Sequence, residues 1–342
     1  MKIAILSPIA WRTPPTEYGP WEQMASIITE GLVDLGHEVT LFATGDSITS
    51  ARLDSVCPKG YAEDPSLDAK VWEALHISNL IEKADQFDVI HNHFDFLPLS
   101  YSRLIETPMV TTIHGFSSSK ILPVYEKYNN TNTYISISDA DRSERLKYER
   151  TIYHGIDPGQ FTFRKEKEEY LLYFGRIHPD KGTHTAIEIA KKANLPLKIA
   201  GLIQDENYYK NEVFPHIDNE RITYLGNVNA TSRDPLLGKA KCLLHPIYFD
   251  EPFGLSVAEA MMCGTPVIAF NRGSMPELIE NGKNGYLVKT ADEATQAISN
   301  LHKIDSENCR RRALNLFHKD RMVDSYVEVY HKVLTQSSIS AI

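Results

Sequence analysis

The sequence predicts an α/β protein built from two doubly wound domains that face one another across a cleft. Short apolar runs alternate with longer amphipathic stretches from one end to the other, the pattern of strand–helix units that build parallel sheets. A length of 342 residues is too great for one ordinary domain and fits two of roughly 150 to 170. With 42% hydrophobic and 24% charged residues, the chain can bury cores of that size, which excludes a disordered or collagenous polymer.

The elements follow in order. The apolar start Lys2–Leu6 stops at Ser7-Pro8, too soon for the apolar core of a signal peptide, and reads as a first strand. Met24, Ile27, Ile28, Leu32 and Leu35 fall at helical spacing in Trp21–Leu35, which Gly36 closes as a C-terminal cap. Further strands are read at Glu38–Ala43, Val89–Asn92, Met109–Ile113 and Thr133–Ser136. The charged run Arg164–Glu169, behind the turn Asp157-Pro158-Gly159, divides a first domain, 1–163, from a second, 164–319. The second domain repeats the pattern, with strands at Tyr170–Phe174, Leu197–Ala200, Ile222–Leu225, Cys242–His245 and Pro266–Ala269 and a helix at Thr183–Ala193. A last amphipathic helix is read at Asp320–Thr335 within the closing segment, about 320–342, and its pattern does not identify its partner.

Thirty-six basic residues against forty-five acidic ones leave a formal charge of −9, so the overall balance recruits neither nucleic acid nor an anionic membrane. Cys57, Cys242, Cys263 and Cys309 are too scattered for a disulfide framework or a zinc site, which implies a reducing cytoplasm. No run reaches the roughly eighteen apolar residues of a membrane-spanning helix, so any membrane contact would be peripheral.

In open parallel sheets ligands sit beyond the carboxyl ends of the strands, so residues just after strands carry the information. Behind Cys242–His245 comes a loop with Glu251, then Phe253, Gly254 and Leu255 where a helix begins, then Glu259 one turn in. The N–H groups and dipole of that helix start suit an anion such as a diphosphate. Glu251 is placed to meet a sugar, and Glu259 to accept hydrogen bonds from paired hydroxyls such as those of a ribose. Ser256-Val-Ala-Glu259 also fits a capping box, which would make Glu259 structural. Behind Tyr170–Phe174, Arg176 and Lys181 bracket a tight turn; they would neutralise a diphosphate and stabilise it as a leaving group, or form a solvated turn with Asp180 starting the helix.

In the first domain His114 ends a strand beside Gly115, as a candidate donor to a sugar oxygen or a developing charge. His91 and His93 point to one side of another strand but lack a third metal ligand. His154 lies in a turn with a satisfied Asp157. Asp139-Ala140-Asp141, which elsewhere could hold a metal, reads here as a helix start capped by Ser138. Gly19, in Tyr18-Gly19-Pro20-Trp21-Glu22, occupies the place of a phosphate loop, although no GxGxxG fingerprint is present.

This set of motifs resembles the retaining glycosyltransferases of family 4, with two Rossmann-like domains in the GT-B arrangement. The resemblance rests on the pattern from Glu251 to Glu259 with Ala260-Met-Met-Cys-Gly-Thr-Pro behind it, on Pro276-Glu277, on Gly175-Arg176 with Lys181-Gly182, on Thr112-Ile-His114-Gly115, and on Gly36-His37-Glu38 with the Gly19 loop. It implies that Glu251 contacts donor sugar hydroxyls, Glu259 holds the ribose, and Arg176 and Lys181 bind the diphosphate. It also places backbone at Phe253 to Leu255 along the sugar, His114 near the donor sugar, and the closing helix back on the first domain. The family's usual Gly-Gly pair is Gly19-Pro20 here, and proline lacks an N–H and fixes φ.

The expected function is therefore transfer of a hexose, with retention, from a nucleoside diphosphate sugar to an unidentified acceptor hydroxyl, without metal or cofactor. A UDP-sugar is favoured over a GDP-sugar. The alternatives are an epimerase of the same fold, which would isomerise the donor alone, and a non-catalytic nucleotide-sugar-binding protein, which would bind without turnover.

Overall fold

The computed structural model describes residues 1–116 and 118–340, the side chains of 337–340 excepted. The chain divides into two compact units: Met1–Gly155 with the segment from Lys319 onward, and Ile156–His318.

The first unit carries strands β1 (Lys2–Leu6), β2 (Glu38–Phe42), β3 (Arg52–Asp54), β4 (Val89–Asn92), β5 (Met109–Ile113), β6 (Thr133–Ser136) and β7 (Tyr148–Thr151). Helices α1 (Pro20–Asp34), α2 (Ala69–Ile81) and α3 (Leu122–Lys127) accompany them. All pairings are parallel, in the order β3-β2-β1-β4-β5-β6-β7. Central strands such as β1, buried from Ile3 to Leu6, need apolar residues on both faces and are legible as short apolar runs. The edge strands β3 and β7 are short or polar, partly exposed, and go unseen in the sequence.

The second unit carries β8 (Leu171–Phe174), β9 (Leu197–Ala200), β10 (Ile222–Tyr224), β11 (Cys242–His245), β12 (Val267–Phe270) and β13 (Gly285–Val288). Its helices are α4 (Thr183–Ala193), the short α5 (Glu206–Tyr208), α6 (Ala230–Lys239), α7 (Leu255–Met262), α8 (Met275–Leu278), α9 (Ala291–Ser299) and α10 (Ser306–Phe317). This sheet is also parallel, in the order β10-β9-β8-β11-β12-β13. The sequence reading omitted β13, which opens on a glycine.

The division falls before Ile156, not after residue 163. Ile156 N–H donates to Phe317 O at 2.6 Å and Arg310 donates to Phe161 O at 2.8 Å, so 156–163 packs with α10. The chain returns to the first unit as α11 (Lys319–Ser340). Met322, Val323, Tyr326, Val329, Tyr330 and Val333, at helical spacing, are all buried there. Gly31 of α1 lets α11 approach: a Cβ there would lie 2.6 Å from Val323 Cγ2. Residues 341 and 342, part of the expected closing segment, lie outside the described residues.

Candidate active site

In each sheet the strand order reverses beside the first strand of the unit, between β1 and β4 and between β8 and β11. A crevice opens at the carboxyl end of such a switch point, where neighbouring connections leave in opposite directions. Loops from these strands supply most of the candidate residues.

In the second unit, Tyr173 OH donates to Arg176 O at 2.7 Å and fixes the turn behind β8. Gly182 ends that turn at φ 70, tight against the β11 loop, and Tyr248 N–H donates to Asp180 O at 2.7 Å. The two loops are thereby locked together. Lys181 Nζ then meets Glu251 Oε2 at 2.5 Å, with the side chains only 13% and 11% exposed, and lies 4.6 Å from the Phe249 ring centroid. His245 Nε2 lies 3.3 Å from the same carboxylate oxygen. Burial alone would raise the Glu251 carboxyl; Lys181 and then His245 outweigh it and hold it at about 2. A glutamate that is both buried and ionised at neutral pH marks a site organised around charge.

A Cβ on Gly182 would collide with the Pro246 carbonyl oxygen, whereas one on Gly36, also at positive φ, meets nothing within 4 Å. Gly36→Ala should therefore show only the left-handed backbone cost, about 1 kcal/mol, and Gly182→Ala distinctly more. Thermal unfolding checks this, and equal losses would show that the two loops do not pack as described.

Gly254, at φ 92, is the N-cap residue of α7 and carries no side-chain cap. The capping-box reading of Ser256 and Glu259 therefore does not hold: the helix begins at Leu255, one residue before Ser256, so Ser256 lies inside the first turn. The Glu259 carboxylate instead meets Arg233 Nη1 of α6 at 2.9 Å. Glu259 is buried, and that burial raises its proton affinity against the pull of Arg233. Phe253 is buried, its carbonyl accepting from Ser274 Oγ at 2.7 Å, and Glu251 O accepts from Ser274 N–H at 2.9 Å. Gly273 passes so close to the Glu251 backbone that no side chain fits.

Arg176 sits on the β8 turn as expected, but its guanidinium binds the Gln204 side chain and lies 3.6 Å from Asp180 Oδ2. Lys181 and Glu251 are in contact; Arg176 and Glu259 each hold a different partner. The reading of Asp180 as the start of the helix is also corrected, since α4 begins at Thr183 behind Gly182.

In the first unit Gly19, at φ 152, precedes α1, and Pro20 takes its first position, where the missing N–H costs nothing. Trp21 stacks on His114 with ring centroids 5.4 Å apart. His114 does not offer a free nitrogen: Nε2 is 2.9 Å from His93 Nδ1 and Nδ1 is 3.3 Å from His154 Nε2. His91 is held by Tyr330 OH at 2.6 Å and Thr112 Oγ1 at 2.8 Å, and Thr112 Oγ1 meets Tyr326 OH at 2.7 Å. Burial keeps all four imidazoles well below their ordinary pKa. Glu22 is buried under the same loop, and desolvation lifts its carboxyl to about 7 against hydrogen bonds from its own and the Trp11 N–H.

Among the described residues no three His, Cys, Asp or Glu side chains are grouped to hold a metal ion. Ser138 accepts from Asp141 N–H at 3.1 Å, but it caps a turn and no helix follows. Asp157 accepts from Gly159 N–H at 2.9 Å, as its turn suggested.

The family described as Glycosyltransferase Family 4 matches residues 22–160, and that described as Glycosyl transferases group 1 matches 160–315. Between them they take in nearly the whole chain. It belongs to glycosyltransferase family 4. An uncharacterized glycosyltransferase of Methanocaldococcus jannaschii is 26% identical over 335 residues, covering 84% of this chain and 85% of its own. A glycosyltransferase involved in avilamycin A biosynthesis superposes with a TM-score of 0.72 at 24% identity, over 98% of both chains. HepE of Anabaena, solved in complex with UDP-glucose, gives 0.73 at 20% identity over 97% of this chain and 100% of its own. These likenesses give this glycosyltransferase the GT-B fold, with its two Rossmann-like domains.

Several residues of the candidate site carry no sequence signal. Arg233 and Gln204 lie in stretches with no motif, and their partners are 26 and 28 residues away. His245 was visible as the last residue of a strand and could have been weighed with Glu251. Sheet order, not spacing, brings His93 and His154 to His114.

Proposed function

We propose that this glycosyltransferase moves a hexose from a nucleoside diphosphate sugar, a UDP-sugar before a GDP-sugar, to an acceptor hydroxyl with retention and without a metal ion. The observation that carries the reading is the pairing of Lys181 with Glu251 at the β8/β11 switch point, next to the opening turn of α7. A diphosphate placed there meets a buried cation and helix N–H groups that lack intrahelical partners. Glu251 is within reach of the sugar that the same diphosphate carries. The UDP-glucose bound by HepE supports the donor class.

Donor binding exchanges one partner of Lys181 for another: the ammonium turns from the carboxylate to phosphate, and Glu251 is released toward sugar hydroxyls. Arg176 must likewise leave Gln204. The C–O bond to phosphate then breaks, and Lys181, Arg176 and the α7 dipole absorb the charge on the leaving group. The acceptor oxygen bonds to the anomeric carbon from the face just vacated. Its proton passes to the departing phosphate, the nearest base. Cations that serve this role in the protein leave none of it to a metal. The cytoplasm is the compartment that fits four buried thiols, Cys57, Cys242, Cys263 and Cys309.

Glu259→Ala should weaken nucleoside diphosphate binding with little change in kcat, since the ribose hydroxyls lose their acceptor. Calorimetric titration with UDP and GDP tests it. A variant that loses only thermal stability would make the Arg233–Glu259 pair a brace and remove the ribose assignment.

A further inference from the structure

His245 is buried at the end of β11, and the transfer chemistry above does not use it. Its Nε2 lies 3.3 Å from Glu251 Oε2, the same oxygen that Lys181 Nζ meets at 2.5 Å. One buried carboxylate oxygen therefore has two basic nitrogens beside it, one a standing cation and the other able to take up or release a proton near neutrality. A carboxylate kept from water holds its charge only while a counter-charge lies next to it. When the diphosphate draws Lys181 away, Glu251 must either take up a proton, and stop accepting from sugar hydroxyls, or find another cation. His245 is in place to be that cation. Burial holds its imidazole below the ordinary value; Glu251 pulls the other way, and the charge of Lys181 opposes that pull. Once Lys181 turns to phosphate the pull of Glu251 is unopposed, so the ring gains proton affinity. The adjoining strands bring no other charge: β12 contributes Ala269, in register with His245, and β8 contributes Tyr173, one position back, whose phenol burial keeps neutral.

We propose that His245 is a positioning residue that takes a proton from solvent as Lys181 turns to the diphosphate, replaces it as the counter-charge of Glu251, and so keeps that carboxylate ionised toward the donor sugar. The proposal rests on the reading of Lys181 and Glu251 given above.

Two arms test it. In protein labelled with ¹⁵N-histidine, the His245 signals are those missing from His245→Gln. In ligand-free Lys181→Ala the His245 ring should titrate at a higher pH than in the wild-type protein, and an equal or lower midpoint would overturn the handover. In the wild-type protein at neutral pH, whichever of UDP-glucose and GDP-mannose raises the melting temperature should move both His245 nitrogens to imidazolium shifts; a ring that stays neutral in that complex would also overturn it. The second arm is the pH profile of nucleotide release from the same nucleotide sugar. His245→Gln keeps an N–H donor near the Nε2 position but carries no charge, so Glu251 must take up the proton instead. If its carboxyl then titrates one unit above the working pH, kcat falls about tenfold, with little change in KM, and the deficit closes as pH rises and Glu251 loses that proton. A deficit of the same size at every pH would make His245 a packing residue, and wild-type turnover throughout would remove its role. Failure of both nucleotide sugars to bind the wild-type protein would count against the donor reading, and the His245 midpoint in Lys181→Ala would then decide the handover by itself.

Discussion

Lys181→Ala should lower kcat by roughly two orders of magnitude, the usual cost of losing a preorganised charge that faces the leaving group. The same substitution leaves Glu251 buried without its cation, which typically costs about 3–5 kcal/mol. Stability and turnover therefore fall together in the single variant, and the double variant Lys181→Ala with Glu251→Gln separates them. It should regain most of the melting temperature, because a neutral amide needs no counter-charge, and none of the turnover. Arg176→Ala should lower kcat by a similar factor with little loss of stability, since its partners Gln204 and Asp180 lie near solvent. Recovery of turnover in the double variant would mean that Lys181 serves only to hold Glu251 in place.

Acid should unfold the first unit over a narrow range. His76, His91, His93, His114 and His154 are buried there, and burial holds His76 at about 4, His154 at about 3 and the other three well below their usual value. In the unfolded chain each titrates near 6.5. Below that pH the unfolded chain binds more protons than the folded one, so stability is complete above about 6.5 and falls as pH drops toward 4. Glu22 opposes this: its folded value of about 7 exceeds the unfolded one, so it adds stability as pH falls from 7 to its unfolded value, by one proton against several. Each uncompensated proton is worth up to about 1.4 kcal/mol per pH unit, and a domain holds only about 5–15 kcal/mol in all. Urea midpoints measured between pH 7 and 5 should fall steeply, and a flat profile would show that these rings are already charged or exposed.

The sequence disclosed central strands and the positions of loop residues because burial on both faces of a parallel sheet favours short, largely apolar runs. It disclosed less where tertiary partners decide. The edge strands Arg52–Asp54 and Tyr148–Thr151 owe their conformation to a neighbour and not to their own composition. The helix at Lys319–Ser340 showed its apolar stripe, yet only packing against Gly31 and the hydroxyl contacts of Tyr326 and Tyr330 say what it covers. Glu259 matched a local capping pattern and took a distant arginine instead. His114 was correctly seen at a strand end, but its two nitrogens were already committed to histidines 21 and 40 residues away.

The claim on which the account depends is that Lys181, Arg176 and the start of α7 hold a diphosphate. Titration calorimetry of the wild-type, Lys181→Ala and Arg176→Ala proteins with a nucleoside, its monophosphate and its diphosphate, in the uridine and guanosine series, measures what the second phosphate adds. The diphosphate of one series should bind the wild-type protein far more tightly than the monophosphate, and most of that advantage should vanish in both variants. An advantage that survives in both, or is absent from the wild-type protein in both series, would contradict the account.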